Sequence, residues 1–296
     1  MPTLITAAGG NATVIERLAA PATPAELAAR GRRLLEAYAA QGAEQAGFLL
    51  PPAGDPLVPR WAQPADAVAP IYSQAQLAQP AGTGVPQLAP PAKAAAPIRS
   101  QAHFAMAGGE FCGNAARAAA LLLAPGGGTV AFSLSGFTGL VAATVTALGG
   151  RDYEVSATFP GLTAPVRALG LRPEGPAALV DLGGIVHIVL IAPFPRAAKV
   201  YRAQHCRLCR DLALTDRAAV GVIWCERAGE NLTLHPLVWV RALDSFFYES
   251  ACGSGTIAAA AVLGSGAYRQ PSGQAIVAEL GAEAITLSSV MQRFDL

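Results

Sequence analysis

The sequence predicts a mixed α/β protein, α+β in the order of its elements, folded as two similar lobes. Three observations lead there. The chain has 296 residues, 52% of them hydrophobic and only 14% charged, enough to bury a core in each of two units of about 150 residues. Its apolar residues fall mostly into short strand-like runs, with few helical stretches between them. One motif also occurs twice, as Glu110-Phe111-Cys112-Gly113-Asn114-Ala115 and as Ser250-Ala251-Cys252-Gly253-Ser254-Gly255, nearly half the chain apart. That period divides the chain into an N-terminal lobe over 1–150 carrying Cys112 and a C-terminal lobe over 151–296 carrying Cys252.

Thr3–Thr6 reads as a strand, Ala7–Asn11 as a turn and Ala12–Ile15 as the next strand, so Asn11 sits in or just after a tight turn. Thr23-Pro24-Ala25-Glu26 has the form of a capping box with proline at the first helical position, which starts a helix running to about Ala40. Gly47–Leu50 reads as a buried strand. Residues 51–100 then hold 11 of the 23 prolines and show no period. They are expected to form an exposed insertion without function, because proline removes backbone donors and few large apolar groups offset the entropy of ordering.

The pattern resumes with a strand at His103–Met106 and a helix over Gly113–Leu123, stopped by Pro125 and three glycines. Strands follow at 129–134, 139–146 and 153–159. Ala178–Asp181, His187–Ile191, Val220–Trp224 and Leu237–Val240 read as strands of the second lobe. That lobe repeats the earlier order, with Phe246–Tyr248 as strand, a Cys-Gly turn and a helix over Ser254–Leu263 closed by Gly264.

A formal charge of +1 with no run of basic residues leaves no electrostatic footprint for nucleic acid. No stretch of about 18 uninterrupted apolar residues is present to span a membrane, and Met1–Thr6 lacks a basic region followed by an apolar one. The expectation is a cytoplasmic protein whose partner is a small molecule. Five cysteines, an odd number, argue against a disulfide framework. Cys206-x-x-Cys209 beside His205 has no second ligand pair at suitable spacing, so packing is expected there and no metal.

The doubled motif carries the chemistry. A cysteine at a helix N-terminus lies beside unpaired amide donors and the positive end of the macrodipole, so its thiolate is favoured and its pKa is expected below the free value of about 8.5. Gly113 and Gly253 remove side chains and let the following amides approach an anion such as an α-carboxylate. Two helix ends converging on one carboxylate stabilise the charge that spreads onto it when the α-proton leaves. Two thiols on opposite faces of a carbon can remove a proton from one side and return one from the other, inverting the centre. A pyridoxal route needs a lysine, and the chain offers only Lys93, inside the insertion, and Lys199, with no glycine-rich phosphate loop beside it.

Cys112-Gly113-Asn114 and Ala251-Cys252-Gly253-Ser254-Gly255 resemble the paired signatures of the diaminopimelate epimerase-like superfamily, and Gly10-Asn11, Glu44-Gln45, Arg117 and His187 fit its pattern. The resemblance spans nearly the whole chain except the insertion. It implies two lobes related by a pseudo-two-fold axis, each a curved sheet around a central helix, with no cofactor and with a homodimer as a possible assembly. Glu110–Ala115, Pro236–Val240 and Tyr248–Gly255 resemble more closely the histidine racemase branch of staphylopine-type metallophore synthesis. The Glu-Arg-Gly and Gly-Asn-Pro-His segments of diaminopimelate epimerases are replaced here by Leu243-Asp244-Ser245-Phe246-Phe247 and Gly184-Ile185-Val186-His187.

The reading is a cofactor-independent amino-acid racemase with Cys112 and Cys252 as the acid/base pair, histidine as its substrate and D-histidine for an opine metallophore as its product. Asn11, Gln45, Gly113, Asn114, Glu249, Gly253 and Ser254 are the expected substrate-binding residues, and His187 and Glu44 the groups expected to tune the thiols. Glu110 and Glu249 are both placed to bind an ammonium, with Glu249 the preferred one. Diaminopimelate or another amino acid is the alternative substrate. A non-catalytic amino-acid binding protein is the alternative of another class, although amides alone would suffice for carboxylate capture.

Overall fold

The computed structural model describes residues 2–50, 98–171, 175–228 and 231–295. The expected insertion over 51–100 lies outside them, save that 98–100 begin a strand. Among the described residues no helix is long and apolar enough to cross a membrane.

The first half runs β1 (Thr3–Ala7), β2 (Gly10–Arg17), α1 (Pro24–Ala37), β3 (Ala43–Leu50), β4 (Ile98–Met106), α2 (Gly113–Leu123), β5 (Gly128–Leu134), β6 (Leu140–Gly149) and β7 (Asp152–Pro160). Next come β8 (Val166–Leu171), β9 (Gly175–Asp181), β10 (Val186–Leu190), α3 (Ala198–Asp211), β11 (Ala219–Ala228), β12 (Asn231–Val240), β13 (Ser245–Tyr248), α4 (Gly253–Leu263), β14 (Gly266–Arg269), β15 (Ala275–Leu280) and β16 (Ala284–Asp295). The architecture is therefore mixed α/β and dominated by strands.

Each helix is the crossover of a parallel strand pair. α1 joins β2 to β3, α2 joins β4 to β5, α3 joins β10 to β11, and α4 links the β12–β13 hairpin to β14, parallel to β12. All other neighbours among the described strands are antiparallel, including β16 with the distant β1 and β7. The same sequence of crossovers in both halves is the structural repeat behind the doubled motif. β1 to β7 are hydrogen-bonded in order, and β16 pairs with both β7 and β1, which closes a ring. α2 runs through it, touching all eight strands. The sheet continues from β16 through β15, β14, β12, β11, β10 and β9 to β8, and α4 packs on this second part.

The alanine-rich composition of α2 follows from this position. Ten of its eleven residues are buried, and small side chains let strands approach on every side, as close packing requires. α4 is buried from Gly253 through Ala260 for the same reason. The capping box forms as the sequence predicts, with the Thr23 amide donating to Glu26 Oε2 at 2.7 Å and the Glu26 amide to Thr23 Oγ1 at 3.3 Å. α1 ends earlier than expected, at Ala37, and a 3-10 turn leads to Gly42 in the left-handed region at φ 78°.

A second, smaller core lies between α3 and the outer face of β9–β13, where Phe194 stacks on Tyr248 and on His235. His205 of α3 is buried there, Nε2 3.0 Å from the Val220 carbonyl and Nδ1 3.4 Å from Cys209 Sγ. The Cys206-x-x-Cys209 stretch is thus a packing feature of a helix, with Cys206 exposed.

Candidate active site

Cys112 and Cys252 cap α2 and α4 in nearly the same backbone conformation, φ −137° and ψ 113° against φ −136° and ψ 109°. Each sulfur accepts the amide of the third residue on: Ala115 N at 3.4 Å from Cys112 Sγ and Gly255 N at 3.3 Å from Cys252 Sγ. The cysteines therefore take the place of Ser or Asp as N-caps.

The two helix ends meet. A Cβ built on Gly253 would lie 3.1 Å from the carbonyl carbon of Gly113, and one on Gly113 would lie 3.4 Å from the amide nitrogen of Ser254. Gly113, Asn114, Gly253 and Ser254 are thereby brought together, as expected of the residues whose amides would face one anion. Asn114 ties the halves by donating from Nδ2 to the Ala251 carbonyl at 2.9 Å, and its Oδ1 accepts from Arg117. Arg117 is wholly buried and also bonds Ser289 and the Gly113 carbonyl. Burial lowers its pKa to about 10, which leaves it a cation at neutral pH, within electrostatic reach of both thiols.

The opposite wall is made of polar side chains from β1–β3 and the β13–α4 turn. Asn11, at φ 30° after the left-handed pair Ala8 and Gly9, is held in a conformation that Asn tolerates better than most residues. Its amide donates to Ser250 Oγ and its Nδ2 to Glu44 Oε2 at 3.0 Å. Glu44 also accepts the Ser250 amide at 3.1 Å. Burial raises the Glu44 pKa, and these hydrogen bonds oppose the rise.

Gln45 is the link between the thiols. Its Oε1 accepts from Thr13 Oγ1 at 3.1 Å and from the Cys112 thiol at 3.2 Å, and its Nε2 donates to Glu249 Oε1 at 3.0 Å. Glu249 in turn stands near Cys252, whose pKa its charge raises. Tyr248, stacked on Phe194 and bonded to His235 Nδ1 at 2.7 Å, anchors the strand end from which Glu249 turns inward.

Glu44, Gln45, Glu110, Cys112, Glu249 and Ser254 line one cleft with an apolar side that includes Val240 and Phe247. Cys252 joins this wall through Ser254, whose Oγ is 3.6 Å from its sulfur. The cleft measures about 20 Å³, room for about one water molecule. A roomier hollow of about 390 Å³ lies on the far side of Gly108 and Gly109. No cysteine or carboxylate lines it, so the smaller cleft is the candidate site.

The expected fall of the thiol pKa does not occur in this closed cleft. Burial, followed by the charge of Glu249, pushes Cys112 up to about 12, and the same causes raise Cys252 well above its ordinary value. The amides at the helix ends do oppose the rise, but a macrodipole contributes about 0.3–2 kcal/mol whereas full burial shifts a pKa by up to about 3–5 units. Both cysteines are therefore thiols here, and the Cys112 hydrogen bond to Gln45 is consistent with that.

His187 is placed on β10, outside the cleft lining, against Gly221, where a Cβ would collide with its ring. It is fully buried, neither ring nitrogen has a hydrogen-bond partner among the described residues, and burial lowers its pKa to about 3. The tuning role expected of His187 is therefore not supported by its place, a neutral ring outside the cleft lining. Glu110 was expected only as the less favoured ammonium binder beside Glu249, and Arg117 only as part of the family pattern, with no role in the site. Glu110 lines the cleft, is 5% exposed and leaves Oε2 without a hydrogen-bond partner among the described residues, and burial raises its pKa to about 7. Its signal was its place two residues before Cys112; the signal for Arg117 was a lone charge in an all-apolar helix. Among the described residues no group of His, Cys, Asp or Glu side chains is arranged to hold a metal.

The family described as the histidine racemase CntK N-terminal domain matches residues 93–283. The fold is similar to that of a probable proline racemase from Agrobacterium radiobacter K84, with 15% identity, coverage of 100% of this chain and 91% of that one, and a TM-score of 0.56. It is similar also to a hydroxyproline epimerase from Agrobacterium vitis, with 15% identity, coverage of 100% and 89%, and a TM-score of 0.56. A phenazine biosynthesis protein of the PhzF family from Bacillus anthracis shares the fold at 10% identity, coverage of 100% and 99%, and a TM-score of 0.53. A sequence search of curated proteins gives no match.

Proposed function

We propose, from the premise that the chain belongs to the histidine racemase CntK N-terminal domain family, that it is an isomerase interconverting L- and D-histidine, with Cys112 and Cys252 as the acid/base pair. The observation that carries the reading is the meeting of two cysteine-capped helix ends at Gly113 and Gly253. The α-carboxylate lies at these ends, where exposed amides of two helices face it. The ammonium lies toward Asn11 and Glu249, whose Oδ1 and Oε2 have no hydrogen-bond partner among the described residues. The arriving ammonium adds positive charge beside both thiols, so one sulfur can release its proton to solvent once substrate is bound, leaving one proton between the pair.

That thiolate removes the α-hydrogen as a proton, the electron pair spreads onto the carboxylate, and the other cysteine delivers its own proton to the opposite face. The pair ends with its protonation exchanged, ready for the reverse direction. D-histidine for an opine metallophore is the product this reading assigns. The test is incubation with L-histidine in deuterium oxide. Inversion accompanied by α-deuterium, from either enantiomer, is expected. Full inversion by a Cys112→Ser protein would end the cysteine mechanism, and exclusive turnover of another amino acid would end the histidine assignment.

A further inference from the structure

We infer that Glu110 is the specificity-determining residue of the site, accepting a hydrogen bond from the ring N–H of the substrate's side chain; the inference rests on the histidine reading above. The argument begins with what the reaction does not require. Proton removal and return at one carbon call for two equivalent cysteines, and the caps of α2 and α4 supply them. The residues leading into those caps are not equivalent. Two positions before Cys112 stands Glu110, where the second turn has Ser250; three positions before Cys252 stands Glu249, where the first turn has Gly109. Asymmetry added to a symmetric acid/base pair belongs to the asymmetric part of the ligand, its ammonium and its side chain.

The two carboxyls have different surroundings. Glu249 is embedded in the polar wall through Gln45, and its free Oε2 shares that wall with the free Oδ1 of Asn11. That cluster suits a cation with several donors. Glu110 faces the apolar side. A Cβ built on Gly108 would touch both Glu110 Oε2, at 2.6 Å, and Val240, which places that oxygen beside the valine. Val240 and Phe247 line the same side of the cleft with it. The backbone amides of Gly108 and Glu110 reach the Glu110 carboxyl, but its Oε2 is a buried acceptor with no hydrogen-bond partner among the described residues, in a wall otherwise fit for a flat, weakly polar ring. A buried polar atom left unpaired is costly, so a ligand that supplies its donor is favoured over one that does not.

The test compares L-histidine with 3-(2-thienyl)-L-alanine, a ring of similar shape without an N–H, by α-deuterium exchange in the wild type and in Glu110→Gln and Glu110→Leu proteins. The wild type is expected to favour histidine in kcat/KM by 100-fold or more. Glu110→Leu should lower that ratio at least tenfold, chiefly through a higher KM for histidine, with Glu110→Gln between the two. The ratio is unaffected by partial misfolding, and the Gln variant keeps the shape of the side chain. A ratio unchanged in both variants overturns the inference while leaving the histidine reading intact. Absence of any exchange of histidine by the wild type, with exchange of another amino acid, overturns both.

Discussion

Gly253 lies so close to Asn114 that a Cβ on it would stand 2.9 Å from Oδ1 and 3.0 Å from the amide nitrogen. One methyl group at this point would therefore force apart the two helix ends on which the carboxylate is proposed to sit. Gly253→Ala is expected to cost about 1–3 kcal/mol of stability by overpacking. It should lower turnover more than its effect on melting implies. Urea denaturation alongside the exchange assay checks both.

The exposure of the cysteines predicts an order of modification. Cys206 is exposed, whereas Cys112 and Cys252 are buried and held as thiols. Brief iodoacetamide treatment at pH 7.5 should label Cys206 first and leave activity intact, since only a thiolate attacks readily. Mass spectrometry of the digested protein reads the order, and early labelling of Cys112 would contradict the buried thiols described here.

Stability should fall as pH rises from about 6.5 to 8. Glu110 and Glu249 have pKa values raised by burial to about 7 and about 8, so the folded protein holds protons in this window that the unfolded chain, with carboxyl groups near 4.5, has released. Their stabilising effect is complete below the unfolded value and is lost as pH climbs through the folded ones. The slope is bounded at about 1.4 kcal/mol per pH unit for each proton. The buried histidines, lowered below 6.5, act in the opposite sense and at more acid pH. A Glu110→Gln, Glu249→Gln protein should show a flatter profile between pH 6.5 and 8 in thermal melts.

Arg117→Met is expected to lower stability by about 1–3 kcal/mol, because the Asn114 Oδ1 it bonds is buried and would be left unpaired. Turnover should fall with it, since Asn114 spans the halves through the Ala251 carbonyl. Arg117→Lys keeps a charge but not the fork that reaches Ser289 and Asn114 together, and should restore stability only in part. Chemical denaturation of the three proteins compares them.

Much of this was legible from residue patterns, and the exceptions have physical causes. The cysteine turns, α2, α4 and the capping box of α1 announce themselves because caps, prolines and glycines act locally. α3 was missed because Ala197 supplies no side-chain cap and only His205, Leu208 and Cys209 of its residues are buried, too few to write an apolar stripe into the sequence. β8 was missed because both of its faces are largely exposed, leaving no alternation to read. The fate of residues past Gly264 depended on partners far away in the chain. The direction of the thiol pKa could not be read from a motif either, since it is set by how fully Cys112 and Cys252 are enclosed, a property of both halves together.

The pairing of Thr3 with Asp295 makes the ring around α2 a structure that the earliest-made residues cannot finish alone. β1 through β7 come first with one seam unsealed, and the stave that seals it is β16, far later in the chain. Until then α2 is a greasy helix in an incomplete cask. So distant a closure makes for slow assembly, and whatever disturbs β16 should be felt at Cys112, the cap of the helix that the ring encloses.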